Sequence, residues 1–361
     1  MTSADVSRIE ELDLFYEEVR RHNSSPLWLQ ERQTFKTIPF LWRYDDFRPL
    51  LMRATELVPV GRSAERRVLV FANPGLEGRQ SATSTLLANL QIIMPGEVAP
   101  SHRHTASALR LIVEGSGAYT AVQGEKSYMD PGDFVTTPNW TWHDHGHEGE
   151  GPMVWLDGLD VPMVMNFEAQ FQEQYSEDKQ PITKANDASM RLFGAGTLRP
   201  TWIKHDSVHS PLINYKFTHV YEVLTTLAKE ADGSPYDAIT LEYTNPLTGG
   251  PALATIGCFA QLLKPGQHTK AHRHTGGTIY HVIEGKGYSV INGKRFDWGR
   301  KDTFVVPSWA WHEHVAEVES VLFVYNDWPV LQPLGLFREE AYEERDGHQE
   351  VTETFVAGPV S

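Results

Sequence analysis

The stretch that decides the fold is GEVAPSHRHTASALRLIVEGSGAYTAVQGEKSYMDPGDFVTTPNWTWHDH, residues 96–145. Its apolar segments are short, and turns separate them at Gly115–Gly117, at Gln123–Gly124 and at Asp130–Gly132. Short strands at this spacing predict an antiparallel sandwich or barrel. His102 and His104 are two residues apart, so on a strand both side chains point to the same face.

The same pattern recurs from Gly266 onwards, with one residue lost near its middle. The histidines match in order: His102, His104, His143 and His145 correspond to His272, His274, His312 and His314. Asn292–Gly293, which stands where the first copy has Gln123–Gly124, is a strong hairpin signal. The repeat therefore indicates two copies of one β domain in a single chain.

The length of the chain and its single cysteine are typical of two globular domains in a reducing compartment. A chain of 361 residues can bury two medium-sized cores. The net charge of −15 disfavours a nucleic-acid partner. The single cysteine, Cys258, excludes an intrachain disulfide and is typical of a buried small apolar residue. No signal-like or membrane-length apolar run is present, so we expect a cytoplasmic protein without membrane contact.

Helical periodicity predicts helices over residues 3–22, 46–56 and 218–231. Residues 164–200 are expected to form a surface connection, and the charged tail beyond Glu339 either to cover a surface or to fray.

A group of arginines precedes the strand-like residues 68–71. Arg62, Arg66 and Arg67 form either a solvated loop or a carboxylate clamp, because guanidinium groups bind carboxylates in a bidentate way. Arg110 lies an even number of residues after His102 and His104, so on a strand its side chain can face the same interior.

Two spacings resemble the cupin motifs. The first is Gly96-x5-His102-x-His104 with Gly115, and the second is Gly132-x5-Pro138-x-Trp140-x2-His143. The second copy repeats both, with Lys301 where the motif has glycine. The resemblance implies a mainly β bicupin: two antiparallel jelly-roll β-barrels with a few peripheral helices.

Longer stretches are similar to the gentisate 1,2-dioxygenase family, which includes salicylate, 5-nitrosalicylate and 1-hydroxy-2-naphthoate 1,2-dioxygenases. These stretches are LVPVGRSAERRVLVFANPG, PGEVAPSHRHTASALRLIVEGSGAYTAVQGE, GDFVTTPNWTWHDHG and WLDGLD. We expect residues 1–180 to hold the N-terminal helices and a catalytic cupin. Residues 181–361 are expected to hold a connecting segment and a second cupin, whose metal site is degenerate or structural.

The glutamate ligand of common cupins is absent, because Ala108 and Thr278 occupy its position. The first site then has three neutral imidazoles, from His102, His104 and His143. Imidazole suits Fe, Zn, Cu or Ni. The family resemblance implies Fe(II), with O2 as co-substrate. His272, His274 and His312 are a possible second site, and it lacks the anion clamp because Tyr280 replaces Arg110.

The resemblance implies an aromatic substrate whose ring carries a carboxylate and a neighbouring hydroxyl. The ring opens between the two carbons that carry them. The family pattern places carboxylate-binding arginines at Arg62, Arg66 and Arg110, and further pocket residues at Gln91, Leu87 and Asn89. His145 is expected to bind the substrate or take its phenol proton, or else to lie in the second shell or at the surface. Asp157 is expected to orient a neighbouring side chain, and Arg67 to be structural.

The function expected from this resemblance is conversion of gentisate to maleylpyruvate. Salicylate, 5-nitrosalicylate and 1-hydroxy-2-naphthoate are alternative substrates. A bicupin isomerase or decarboxylase, or a storage cupin, is a further alternative that the missing glutamate and the retained histidines and arginines disfavour. The family resemblance also implies a homotetramer.

Overall fold

The computed structural model describes residues 3–29, 36–60, 65–196, 198–204 and 207–358. The chain divides into two compact units, residues 1–35 and residues 36–361. The first unit contains helix α1 (Ser3–Arg21), as predicted, and a 3-10 turn at Leu27–Leu29. Within it, the indole N–H of Trp28 donates to the hydroxyl of Tyr16 at 3.2 Å.

The second unit is built mainly of strands. Its helices within the described residues are α2 (Tyr44–Leu57), α3 (Val161–Asn166), α4 (Ala188–Phe193), α5 (Phe217–Glu230) and α6 (Trp328–Leu331), with a 3-10 turn at Arg345–Gly347. Its strands are β1 (Phe40–Trp42), β2 (Arg67–Val70), β3 (Leu87–Ile93), β4 (Val98–His104), β5 (Ala108–Glu114), β6 (Ala118–Val122), β7 (Glu125–Tyr128), β8 (Phe134–Thr137), β9 (His143–His147), β10 (Met153–Leu159), β11 (Gln172–Gln174), β12 (Asn214–Tyr215), β13 (Ile239–Glu242), β14 (Gly257–Leu263), β15 (His272–His274), β16 (Thr278–Glu284), β17 (Lys286–Ile291), β18 (Lys294–Gly299), β19 (Thr303–Val306), β20 (His312–Ala316), β21 (Ser320–Asn326), β22 (Glu339–Ala341) and β23 (Glu353–Thr354).

Each repeat forms a barrel from two facing sheets. In the first barrel the strand orders are β12-β8-β5-β10-β3-β2 and β11-β4-β9-β6-β7. In the second barrel they are β1-β19-β16-β21-β14-β13 and β22-β15-β20-β17-β18-β23. Among the strands of the described residues, pairing is antiparallel apart from the parallel β18–β23 contact at the edge of the second barrel. The predicted pair of antiparallel jelly-roll barrels is confirmed.

Two short strands pair with strands from the other half of the chain. Strand β1, which precedes the first barrel, pairs with β19 of the second barrel. Strand β12, which lies beyond residue 181, pairs with β8 of the first barrel. The connecting residues 164–200 also contain β11, which extends the sheet of the histidine strands by pairing with β4. The barrels therefore share strands across the division predicted at residue 180.

Alternation along β3 separates a shared core from a barrel interior. Ala88, Leu90 and Ile92 belong to the apolar core that both barrels share, whereas Asn89 and Gln91 point the opposite way, into the first barrel. The shared core explains why the two barrels pack back to back, since large apolar side chains contribute most to burial.

Two side chains confirm the composition of this shared core. Phe134 of the first barrel contacts Phe323 of the second, with ring centroids 5.4 Å apart. Cys258 is fully buried in the same core, and burial raises the pKa of its thiol well above the usual value. It is the small apolar residue that the sequence predicted, not a nucleophile.

Lys301 joins the barrels where the cupin motif has glycine. Its backbone has φ 71°, the left-handed region that glycine favours. Its Nζ lies 2.9 Å from Oε2 of Glu114 in the first barrel, and Arg48 Nε lies 2.9 Å from Oε1 of the same carboxylate. The lysine therefore accepts a strained conformation and forms an ion pair between barrels.

No helix among the described residues combines the length and apolar character that crossing a membrane requires.

Candidate active site

Three histidine side chains converge in the first barrel. His102 and His104 lie on β4, and His143 lies opposite His102 on β9. One donor nitrogen from each lies within 4.8 Å of the others. Two adjacent antiparallel strands thus fix the three imidazoles, as the spacing of the histidines predicted.

The hydrogen bonds of the triad leave one nitrogen of each ring free. The Nδ1 atoms of His102, His104 and His143 lie 3.2, 2.7 and 2.9 Å from the carbonyl oxygens of Pro100, Ala106 and Thr141, respectively. A carbonyl only accepts, so the Nδ1 atoms of His104 and His143 carry their protons and the Nε2 atoms keep a lone pair. The Nδ1 of His102 lies between the carbonyl of Pro100, an acceptor, and the guanidinium of Arg66, a donor at 2.7 Å, so its two neighbours favour opposite tautomers. Backbone carbonyls commonly orient metal-binding histidines in this way.

Burial keeps these imidazoles neutral. Burial and the charge of Arg66 lower the pKa of His102 to about 2, and burial lowers the pKa of His104 to about 4. Burial lowers the pKa of His143 well below its usual value. Three neutral imidazoles with free lone pairs fit a divalent transition-metal ion.

A buried ion pair lies beside the triad. Arg110 on β5 is the register partner of Asp157 on β10, and Arg110 Nε lies 2.9 Å from Asp157 Oδ1. Arg110 Nη1 donates to the hydroxyl of Thr137 at 3.0 Å, and Trp155 Nε1 donates to Asp157 Oδ2 at 3.1 Å. The carboxylate of Asp157 therefore holds the guanidinium of Arg110 at a fixed place in the barrel wall.

Arg66 contributes a second guanidinium at this place. Its Nη2 donates to the carbonyl of Pro100 at 3.2 Å and lies 2.7 Å from Nδ1 of His102. Burial and the neighbouring charge of Arg110 lower the pKa of Arg66 to about 10. Two cations close together in a buried site form a region that favours an anion.

The other two arginines of this group differ from Arg66. Arg62, the third predicted clamp residue, lies outside the described residues. Arg67 binds Glu97 with two hydrogen bonds of 2.7 Å and donates to the carbonyl of Val58 at 2.6 Å, which is the structural role expected of it.

Strand β3 supplies the polar wall of the first barrel. Asn89 faces Asp157 across the sheet, and Gln91 faces Trp155. Both side chains are buried. The carboxamide oxygen of Asn89 has no hydrogen-bond partner among the described residues. Leu87, at the start of β3, lines a cavity of about 410 Å³ together with Arg79 and Met165 among others, and the lining of this cavity includes none of the three histidines.

His145 is fully buried, and its Nδ1 contacts a hydroxyl. The hydroxyl of Thr120 lies 3.2 Å from the sulfur of Met129 and 3.1 Å from Nδ1 of His145. With the hydroxyl hydrogen directed to the sulfur, Thr120 accepts the Nδ1–H of His145. The Nε2 of His145 then carries a lone pair, and it has no partner among the described residues. Burial and the charge of Arg110 lower the pKa of His145 well below its usual value, so the ring is neutral.

The second barrel holds a matching triad. One donor nitrogen from each of His272, His274 and His312 lies within 4.8 Å of the others. His272 Nδ1 lies 3.1 Å from a carboxylate oxygen of Glu339, and His312 Nδ1 lies 3.1 Å from the carbonyl of Ala310. The Nε2 atoms of His272 and His312 are buried and lack hydrogen-bond partners among the described residues. This triad therefore also fits a metal ion.

The surroundings of the second triad carry negative charge. Asp237 Oδ1 lies 3.6 Å from His272 Nε2, and Glu339 lies on the other side of the same ring. Tyr280 occupies the position of Arg110 and stacks on Phe304 with ring centroids 4.8 Å apart. Asp237 and Tyr280 line a cavity of about 340 Å³ in this barrel.

The equivalent of His145 has the opposite hydrogen-bond pattern. Ser289 accepts a hydrogen bond of 2.9 Å from Trp298 Nε1 and lies 2.7 Å from His314 Nδ1. The serine hydrogen then points to Nδ1, which places the imidazole proton on Nε2. His314 thus presents an N–H to its cavity where His145 presents a lone pair.

Sequence reasoning missed two kinds of residue at these sites. Thr120 and Met129 orient His145, and both have matched positions in the repeat, Ser289 and Trp298, so alignment of the two copies could have found them. Asp237 and Glu339 reach His272 only through the β13–β14 and β15–β22 pairings. No local pattern signals those contacts.

Two jelly-roll barrels with a three-histidine group at matched positions define a bicupin metal-binding protein. The sequence matches the cupin domain family over residues 89–160 and 259–325. It is 45% identical to gentisate 1,2 dioxygenase 1 of Aquipseudomonas alcaligenes, over 90% of this chain and 95% of that protein. It is 40% identical to a 5-aminosalicylate 1,2-dioxygenase of Comamonas sp, over 96% of this chain and 94% of that protein.

A solved structure has the same fold. The crystal structure of a salicylate 1,2-dioxygenase from Pseudaminobacter salicylatoxidans superimposes with a TM-score of 0.86 at 35% identity, covering 91% of this chain and 97% of that one. The chain belongs to the gentisate 1,2-dioxygenase family, and it is a ring-cleaving dioxygenase.

Proposed function

We propose that the protein opens gentisate between the carbons that carry its carboxyl group and the neighbouring hydroxyl, with both atoms of O2 incorporated to give maleylpyruvate. The observation that carries the proposal is the buried, neutral triad of the first barrel beside two guanidinium groups, Arg66 and Arg110. This combination suits a metal ion together with an anionic substrate. The gentisate dioxygenases among the relatives support the choice of substrate.

His102, His104 and His143 would hold Fe(II) through their free Nε2 atoms. When bound, Fe(II) supplies open positions for the carboxylate and phenol oxygens of the substrate and for O2. His102 and His143 are buried and His104 is half-buried, so the chain limits the access of water to the site. Neutral ligands leave the charge of the ion uncompensated, which favours an anionic substrate.

Arg66 and Arg110 would bind the substrate carboxylate, with Arg62 as the third member of the clamp. Arg110 is held by Asp157 and Thr137, so binding costs little reorientation of its side chain. Arg66 lies between the carbonyl of Pro100 and His102, where an arriving carboxylate offers a stronger acceptor. Asp157 acts as the positioning residue of this pair.

His145 would accept the proton of the substrate hydroxyl. Its Nε2 carries the free lone pair, and Thr120 keeps the Nδ1–H in place while the proton moves. Gln91 points to the same side of β3 as Asn89 and would contact the substrate from this strand.

The wall of β3 favours a ring with a hydrogen-bond donor as its further substituent. The unpartnered oxygen of Asn89 can accept a hydrogen bond from the 5-hydroxyl of gentisate or from a 5-amino group. Salicylate has no substituent at that position, and the nitro group of 5-nitrosalicylate has only hydrogen-bond acceptors. Leu87, two residues before Asn89 on β3, would form the apolar part of the pocket. 5-Aminosalicylate is therefore the alternative substrate.

The second barrel would bind metal without turnover. Its triad is surrounded by Asp237 and Glu339 in place of arginines, which disfavours an anionic substrate and stabilises a cation. Residues 1–180 then provide the catalytic half, and residues 181–361 a structural half. A cytoplasmic location and the homotetramer that the family resemblance implies complete the proposal, and light scattering after size-exclusion chromatography would test the assembly.

The test is oxygen uptake by the Fe(II)-loaded protein with gentisate, 5-aminosalicylate, salicylate and 5-nitrosalicylate. We expect kcat/KM to be highest with gentisate, and ring opening to appear as new near-ultraviolet absorbance. Higher kcat/KM with salicylate or 5-nitrosalicylate would contradict the role given to Asn89. No uptake with any of the four would contradict the proposed function.

A further inference from the structure

The outer face of β20 carries a ligand group that is separate from both triads. His312 and His314 point into the second barrel, so Glu313 between them points out. Its carboxylate is only 1% exposed. Oε1 accepts the backbone N–H of Gln349 at 3.0 Å. Oε2 lies 3.0 Å from Nδ1 of His348 and 3.4 Å from Nε2 of His268.

These separations match the edges of a tetrahedral metal site. With ligand bonds of about 2.0–2.1 Å, two ligands of a tetrahedral zinc ion lie about 3.3–3.4 Å apart. One donor atom from each of His268, Glu313 and His348 lies within 4.8 Å of the others. The imidazole rings of His268 and His348 are close, with centroids 4.0 Å apart. Small movements of two side chains would bring all three donors around one ion.

The first barrel has a carboxylate at the position equivalent to Glu313, but no histidines beside it. Asp144 corresponds to Glu313, and its carboxylate accepts the N–H of Gln180 at 3.0 Å, as Glu313 accepts that of Gln349. The positions of His268 and His348 are occupied there by Val98 and Lys179.

The charge of the carboxylate is compensated differently in the two barrels. In the first barrel the positive charge of Lys179 acts on the carboxylate of Asp144. In the second barrel, no lysine or arginine of the described residues forms an ion pair with Glu313. A buried carboxylate without a cation is costly. Two imidazoles at the position of Val98 and Lys179 can supply the missing positive charge by holding a divalent ion.

We propose that His268, Glu313 and His348 bind a divalent transition-metal ion of the zinc type, with water as the remaining ligand. Two nitrogen ligands and one carboxylate suit Zn²⁺ better than Mg²⁺ or Ca²⁺. His268 and His348 are 40% and 32% exposed, so an ion can reach the site from solvent. The ion fastens the C-terminal segment, through His348, to β20 and to the turn before β15.

The experiment measures zinc bound per chain. The full-length protein, freed of metal by a chelator, is dialysed against Zn²⁺ and its zinc is counted by mass spectrometry. Two variants carry the residues of the first barrel, His268→Val and His348→Lys. The control His219→Val removes an exposed histidine of α5. We expect the wild type and the control to bind one more zinc per chain than either variant.

Thermal unfolding gives a second measurement. Zinc should raise the melting temperature of the wild type and of the control by more than that of the two variants, because an ion that binds only the folded chain stabilises it. Oxygen uptake should stay within twofold of wild type in all variants, since the site lies outside the first barrel. Equal zinc content in the wild type and both folded variants would overturn the proposal, and so would an equal zinc-dependent shift in melting temperature.

Discussion

The two histidine triads share their ligands and differ in nearly everything around them. Each has two histidines on one strand and a third on the neighbouring strand, with donor atoms within 4.8 Å. Guanidinium groups of Arg66 and Arg110 lie beside the first triad, whereas the carboxylates of Asp237 and Glu339 flank the second. Ligand spacing therefore determines where a metal binds, and the charge of the neighbours determines whether an anionic substrate can join it.

The buried histidine beside each triad shows the same divergence. At equivalent positions, Met129 offers Thr120 an acceptor, whereas Trp298 offers Ser289 a donor. The first arrangement makes His145 an acceptor toward its cavity, and the second makes His314 a donor. A proton acceptor is needed only where a phenol must be deprotonated, so this difference agrees with turnover in the first barrel alone.

The largest effect should separate the two triads. His102→Ala should lower oxygen uptake with gentisate by about a thousandfold or more, because a lost ligand removes the metal ion. His272→Ala should retain most of the activity. Iron content measured per chain should fall in both variants. Loss of all activity in His272→Ala with the first-site iron retained would show that the second barrel takes part in turnover.

The next effect concerns the positive charge beside the first triad. Arg110→Gln should lower kcat/KM with gentisate by about a hundredfold, since a hydrogen bond to a charged group contributes about 1.5–3 kcal/mol. A change at the equivalent position of the second barrel, Tyr280→Phe, should leave kcat/KM with gentisate unchanged.

Arg110→Gln also leaves the carboxylate of Asp157 buried without its cation, which destabilises the fold. The double variant Arg110→Gln/Asp157→Asn separates the two effects. It should recover stability in urea denaturation but not activity. Recovery of activity would mean that Arg110 acts only on stability.

The third effect tests the orientation of His145. Thr120→Val removes the hydroxyl that accepts the Nδ1–H of His145. It should lower kcat by about tenfold, as loss of a hydrogen bond that orients an active-site side chain commonly does. Thr120→Ser keeps the hydroxyl and should retain activity. Steady-state kinetics with gentisate give both values, and Ser289→Ala serves as the control from the second barrel. Equal loss in the valine and serine variants would point to packing and not to the hydrogen bond.

Much of this architecture follows from local sequence. The alternation of His102 and His104, and their recurrence at His272 and His274, predicts two barrels with histidines on their inner faces because a strand has a period of two. The helices over residues 3–22, 46–56 and 218–231 correspond to α1, α2 and α5, with ends that differ by one or two residues.

The rest depends on contacts that no local pattern encodes. Strands β1 and β12 are three and two residues long, so they lack enough alternation to be recognised, and they pair across the two halves of the chain. Asp237 reaches His272 only because β13 pairs with β14 in one register. The tautomer of His145 depends on Met129, which is nine residues from Thr120 and contacts it across the β6–β7 hairpin.

The smallest effect concerns the contact between the barrels and compares Lys301 with its equivalent, Gly132. Both have positive φ, 71° and 86°. Lys301→Met keeps the unfavourable conformation and loses the ion pair with Glu114, so it should destabilise the protein by about 1 kcal/mol. Lys301→Gly loses the same ion pair but relieves the left-handed strain, which is worth a similar amount. It should be close to neutral.

Urea denaturation measures both variants, and high salt should weaken the effect of Lys301→Met because ion pairs are screened. The two variants differ only in backbone strain and in the apolar part of the side chain. If both destabilise equally at every salt concentration, the strain at Lys301 is negligible. The loss would then come from what both variants remove, the charge of Lys301, which pairs with Glu114 and lies 4.9 Å from the ring of Tyr44.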